Sequence, residues 1–129
     1  MENLKSYIRM LLESEEKVFT MYHGTCQASA VAMVSNGWQP RSGFIGGNMG
    51  QSKYLYVTSD PENAMWFAEE NGCNTILKIS DIPRDFLKVD PEDGGGLSFQ
   101  EMLSFMSAFK MPGSFVLTQP LGPEHFSML

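Results

Sequence analysis

Long hydrophobic runs are missing from this chain: no stretch approaches the ~18 apolar residues that a membrane-spanning helix requires. The opening Met1-Glu2-Asn3-Leu4-Lys5 also lacks the basic region and apolar block of a signal peptide, so a cytoplasmic location is expected. Cysteine is scarce. With only two, Cys26 and Cys73, there is no disulfide scaffold and no paired spacing for zinc, and both are expected to be ordinary thiols. Positive charge is thin as well: nine Lys and Arg stand against 15 Asp and Glu, for a net charge of −6. Nucleic-acid affinity comes largely from clustered Lys and Arg that release counterions, so no nucleic-acid partner is expected. No basic amphipathic stretch offers a membrane-surface helix, so no membrane partner is expected either. An acidic protein can still hold a dinucleotide, because backbone N–H groups and one or two arginines can grip a pyrophosphate.

What remains is an ordinary globular composition, 43% hydrophobic and 19% charged over 129 residues, which predicts one domain over residues 1–129 with a real core. Leu4, Tyr7, Ile8, Leu11 and Leu12 recur at helical spacing and predict an N-terminal amphipathic helix within residues 1–17. It would cover one edge of the core or serve as a partner-binding arm. Val18 to His23 is a β-prone run that stops at Gly24, and Thr25 is a candidate cap for a helix from Gln27 to Asn36. Residues 39–52 are glycine-rich and predict a loop. No helix opens after Gly46-Gly47-Asn48-Met49-Gly50, which argues against a Rossmann or P-loop nucleotide site.

Tyr54 to Thr58 predicts a strand, and Ser59-Asp60-Pro61-Glu62 opens a helix that Asn71-Gly72 closes. Further strands are predicted at Thr75 to Ile79, Phe86 to Val89 and Ser114 to Thr118, with a helix over Leu97 to Lys110 and a loop from Asp90 to Gly96. Strands and helices that do not strictly alternate predict an α+β fold. A split or half-barrel sheet holding a cleft fits that inventory.

Two stretches carry the candidate chemistry: Met21-Tyr22-His23-Gly24-Thr25, and Leu55-Tyr56-Val57-Thr58 followed by the Ala64, Trp66, Phe67 helix. Singly, His23, Tyr56, Trp66 and Phe67 each read more readily as core residues than as site residues. Together they resemble the His-Tyr-Glu class of ADP-ribosyltransferases, the class of diphtheria toxin and the poly(ADP-ribose) polymerases. That resemblance implies an NAD site in which His23 orients the ribose, Gly24 holds the carboxamide, and Tyr56 with Phe67 or Trp66 sandwiches the nicotinamide. Tyr22, Thr25 and Asn63 would lie around the same cofactor, and segment 39–52 would be the donor loop with Arg41 on the pyrophosphate. The class glutamate opens a late strand, and Ser114 stands in that place here. Glu101 and Glu124 are the other candidate carboxylates.

The resemblance therefore implies a glycosyltransferase of NAD acting on a protein or other acceptor, or a lapsed member serving as a binding or inhibitory module. An RNA 2′-phosphotransferase activity is disfavoured by the acidic charge and few arginines. His23 and His125 have no acidic or cysteine partner at ligand spacing, so no metal is expected.

Overall fold

The β-branched and aromatic runs form six strands among the described residues: β1 (Val18–Thr25), β2 (Leu55–Thr58), β3 (Thr75–Pro83), β4 (Leu87–Val89), β5 (Ser114–Leu117) and β6 (Phe126–Met128). Three helices join them, α1 (Gln27–Asn36), α2 (Pro61–Glu70) and α3 (Phe99–Phe109), in a mixed α+β arrangement. The structure, a computed structural model, describes residues 18–40, 54–92 and 94–129. The helix expected within residues 1–17, and the glycine-rich loop with Arg41, lie outside the described residues.

All strand pairs are antiparallel, in the order β4-β5-β2-β1-β3-β6. The ladder is uneven. β1 pairs with β3 along its whole length, from Val18↔Pro83 to Thr25↔Thr75, whereas β1 meets β2 in one register pair, Tyr22↔Thr58. Two well-laddered halves, β4-β5-β2 and β1-β3-β6, thus meet at a narrow central seam.

Local chemistry sets the helix ends. Asp60 caps α2, its Oδ2 accepting from the Asn63 N–H at 3.1 Å, with Pro61 in the first turn. Ser98 and Glu101 form a reciprocal capping box on α3. Gly37 ends α1 at φ +76°, a conformation that side chains other than glycine rarely adopt. Three expectations need correction. Thr25 does not cap α1; it is the last residue of β1, and Cys26 occupies the cap position without a side-chain bond. β3 continues to Pro83, and a sixth strand, β6, follows Pro120 and pairs with β3. Three residues after a turn are too few to show a period, so only the edge of β3 makes that strand.

One sheet face carries the main core, where Leu77, Ile79, Ile82, Phe115 and Leu117 are fully buried with Ala30 of α1 and Met102 of α3. Met21 belongs to that face, so strand alternation turns Tyr22 and Gly24 to the other. There α2 presses its small residues, the buried Ala64 and Ala68 one turn apart, against β1. A Cβ on Gly24 would collide with the Ala64 carbonyl oxygen and stand 2.9 Å from the Ala68 nitrogen. Glycine is required here by close approach.

The thiol expectation is also overturned: Cys26 and Cys73 form a disulfide, with Cα atoms 4.9 Å apart. The Thr25↔Thr75 pairing explains it, since Cys26 follows β1 directly and Cys73 precedes β3 by two residues. Two cysteines 47 positions apart are thereby neighbours in space. Disulfides persist in oxidising surroundings and are rare in the cytosol, which weighs against the cytoplasmic expectation.

Two outcomes follow from this packing. Closing a loop of that length contributes about 4 kcal/mol in the chain-entropy view, so Cys73→Ser should lower the melting temperature well beyond a surface substitution. Equal melting temperatures with and without reductant would show the bond to be absent or idle. Gly24→Ala should cost about 1–3 kcal/mol by overpacking, measurable by urea unfolding.

Candidate functional site

Register alone assembles the floor of a cleft on the α2 side of the sheet. Tyr22 on β1 pairs with Thr58 on β2, and Thr58 pairs with Ser114 on β5. Val89↔Phe115 is the last pair of β4 with β5, and the next residue, Asp90, donates its N–H to the Ser114 carbonyl at 3.0 Å. Tyr22, Thr58, Ser114 and Asp90 therefore form one cross-strand row over four strands. The row is clamped where β2 and β5 meet: the Ser59 N–H donates to Gly113 O at 3.2 Å, and Gly113 N–H donates to Ser59 Oγ at 2.9 Å.

Above the row opens a cleft of about 320 Å³. Of the residues expected at the site, Tyr22, His23, Gly24, Tyr56, Phe67 and Ser114 line it. Thr25 does not; it is spent on pairing with Thr75. Asn63 lies behind the wall, its Nδ2 donating to Thr58 Oγ1 at 3.0 Å, which fixes the buried threonine in the row. Trp66 is 54% exposed and outside the cleft, so Phe67 is the aromatic that α2 offers. Trp66 meets Phe67 edge-on at 5.1 Å between centroids and steadies it from outside. A second depression of about 350 Å³, lined by Arg84, Lys88 and Phe99 among others, contains none of the expected residues.

His23 sits at the seam. Its Nδ1 is 2.7 Å from the Tyr56 carbonyl oxygen. A carbonyl can only accept, so Nδ1 carries the proton and donates, which leaves Nε2 of the neutral ring as an acceptor. Burial holds the His23 pKa below the ordinary 6.5, opposed in part by the bond to Tyr56, which favours the charged ring. The site thus keeps a neutral imidazole of fixed tautomer.

Neither carboxylate candidate reaches the cleft. Glu101 is held in the α3 capping box, where the Ser98 N–H and hydroxyl draw its pKa below the usual carboxylate range. Glu124 stands 3.7 Å from His125 Nε2, and His125 in turn donates from Nδ1 to the Ser80 carbonyl at 2.8 Å. The acidic residues that do line the cleft are Asp90 and Glu92, within the stretch that the sequence predicts as the Asp90 to Gly96 loop. The available signal was the short strand Leu87–Val89 running directly into Asp90-Pro91-Glu92, but it becomes meaningful only once β4 is known to pair with β5. Asn71 also lines the cleft, its Nδ2 donating to the Phe67 carbonyl at 3.1 Å.

No family model matches the chain, and no curated protein matches it in sequence. The chemistry must therefore be read from the cleft itself. Among the described residues it offers three aromatic rings, a histidine acceptor, two carboxyl groups and no lysine or arginine. Such a set suits a flat cationic ring that carries hydroxyl groups.

The histidine assignment has a pH signature. Because the folded-state pKa of His23 lies below 6.5, the unfolded chain binds the proton first as pH falls, and stability is lost from about pH 6.5 downward. A His23→Asn variant keeps a donor for Tyr56 but does not titrate, so its melting temperature should fall less between pH 7 and pH 5. Parallel curves for the two proteins would sink the neutral-imidazole assignment.

Proposed function

We propose that this protein binds NAD and transfers its ADP-ribosyl group to an acceptor, by a fold similar in plan to the His-Tyr-Glu ADP-ribosyltransferases. The observation that carries this reading is convergence. His23, Gly24, Tyr56, Phe67 and Ser114, named from short motifs far apart in the chain, line one cleft.

The chemistry is consistent with what that cleft supplies. The nicotinamide of NAD is a flat cation, and Tyr56, 43% exposed, with Phe67 provides aromatic faces for it. The strand backbone at Gly24, kept free of a side chain by the approach of α2, can read the carboxamide by N–H and C=O. His23 Nε2 can accept from a ribose hydroxyl, because Nδ1 is committed to Tyr56. Holding ring and ribose in one geometry while the bond between them lengthens is the service such a site performs. A protein side chain is the acceptor favoured here, since a chain with nine Lys and Arg against 15 Asp and Glu does not suit nucleic acid.

One observation favours a second reading. Ser114 occupies the place of the class glutamate, and a hydroxyl cannot supply an anionic charge to the reaction. A site that binds NAD without cleaving it would make the protein a binding or inhibitory module.

Thermal unfolding with and without millimolar NAD, run beside nicotinamide release over hours, tests both. NAD at 100 times its dissociation constant should add about 2.7 kcal/mol, a readily visible rise in melting temperature. Tyr56→Ala, measured against its own ligand-free melting temperature, should lose most of the NAD response. A shift with release supports the transferase, a shift without release supports the binding module, and no shift refutes both.

A further inference from the structure

Resting on the NAD reading of this cleft, we propose that Glu92 is its catalytic carboxylate, delivered by the β4–α3 loop to the place where β5 offers only Ser114. β4 ends at Val89 opposite Phe115, so the chain leaving β4 passes directly beside Ser114. The Asp90 N–H donates to the Ser114 carbonyl at 3.0 Å, extending the ladder by one bond. An acidic side chain leaving β4 here therefore reaches the same end of the sheet as one opening β5.

The loop is built to hold that position. Asp90 is buried at 4% exposure, and its Oδ1 accepts from the Glu92 N–H at 2.8 Å, a turn in which the aspartate side chain fixes the residue two places on. Its carbonyl accepts from the Gly94 N–H at 2.8 Å. Gly94 is itself buried, and a Cβ there would run into the Val89 side chain and the Asp90 carbonyl. Asp90 is thus the positioning residue, and Glu92 the exposed one, lining the cleft where an acceptor would enter.

The reaction defines what Glu92 does. The bond between ribose C1′ and the nicotinamide nitrogen breaks, and its electron pair leaves with nicotinamide, which becomes neutral without needing a proton. The acceptor hydroxyl, or water, forms the new bond to C1′ and must lose one proton. Glu92 takes that proton and passes it to solvent, while its negative charge favours the cationic sugar as it forms. His23 is poorly suited to the task, because burial opposes the charged imidazolium. Ser114 carries no charge to lend.

The test uses the full chain as wild type, Glu92→Gln and Glu92→Asp, each measured for its NAD-induced melting shift and its nicotinamide release. Glu92→Gln should fold and keep the NAD shift while release slows roughly 10²–10⁴-fold, and Glu92→Asp should fall between the two. Release by Glu92→Gln within about threefold of wild type overturns the assignment. A wild type that shifts with NAD but releases no nicotinamide also overturns it, leaving NAD binding in place. A wild type with no shift at all removes the NAD reading and this role with it.

Discussion

The molecule depends on how little joins β1 to β2. One register pair, Tyr22↔Thr58, links the two halves of the sheet, and beside it the His23 imidazole donates to the Tyr56 carbonyl. An interrupted ladder leaves backbone groups without strand partners, and inside a protein such groups must be satisfied some other way. His23 bonds the Tyr56 carbonyl there with a side chain. The same bond fixes its tautomer and turns its second nitrogen into an acceptor. Structural and functional readings of His23 therefore do not compete: the ring closes the seam, and closing the seam prepares the ring.

The walls of the cleft follow from contacts that leave little room for adjustment. α2 approaches β1 closely enough to exclude any side chain at position 24, with Ala64 and Ala68 as the matching small residues. Phe67 precedes Ala68 by one residue, and with the alanine face seated on the strand it lines the same cleft as Tyr56. The Cys26–Cys73 bond ties the exit of β1 to the entry of β3, one end of the segment that holds the histidine and the glycine. On the far side, Ser59 and Gly113 join β2 to β5 through paired hydrogen bonds.

Much of this was legible in the residues because the signals are local. Asp60-Pro61 marks the start of α2, Asn36-Gly37 the end of α1, and β-branched runs mark five of the six strands. The α+β class follows from their order. The parts that were hidden depend on register, which no local pattern encodes. β6 is a strand only because the edge of β3 is open to it, and Cys26 meets Cys73 only because Thr25 pairs with Thr75. Trp66 and Phe67 are neighbours of the same chemical type, and only the seating of α2 decides which one faces the cleft. Glu101 is a good candidate on composition until its capping role accounts for it.

Charge gives the cleft a direction. Asp90 and Glu92 stand at one end of the cross-strand row, and among the described residues no lysine or arginine lines the cleft. For the proposed donor this favours entry with the cationic nicotinamide toward the carboxyl groups and the anionic pyrophosphate away from them, since like charges in a partly desolvated site repel. Cleavage then changes the balance: nicotinamide leaves as a neutral molecule and loses the attraction that held it, while the positive charge passes to the sugar carbon. In the proposed reaction, an acidic cleft binds the reactant ring more tightly than the product ring, and its charge acts on the sugar at the moment the bond breaks. In the proposed reaction the acidic side of the row plays a chemical part that a neutral serine alone could not play.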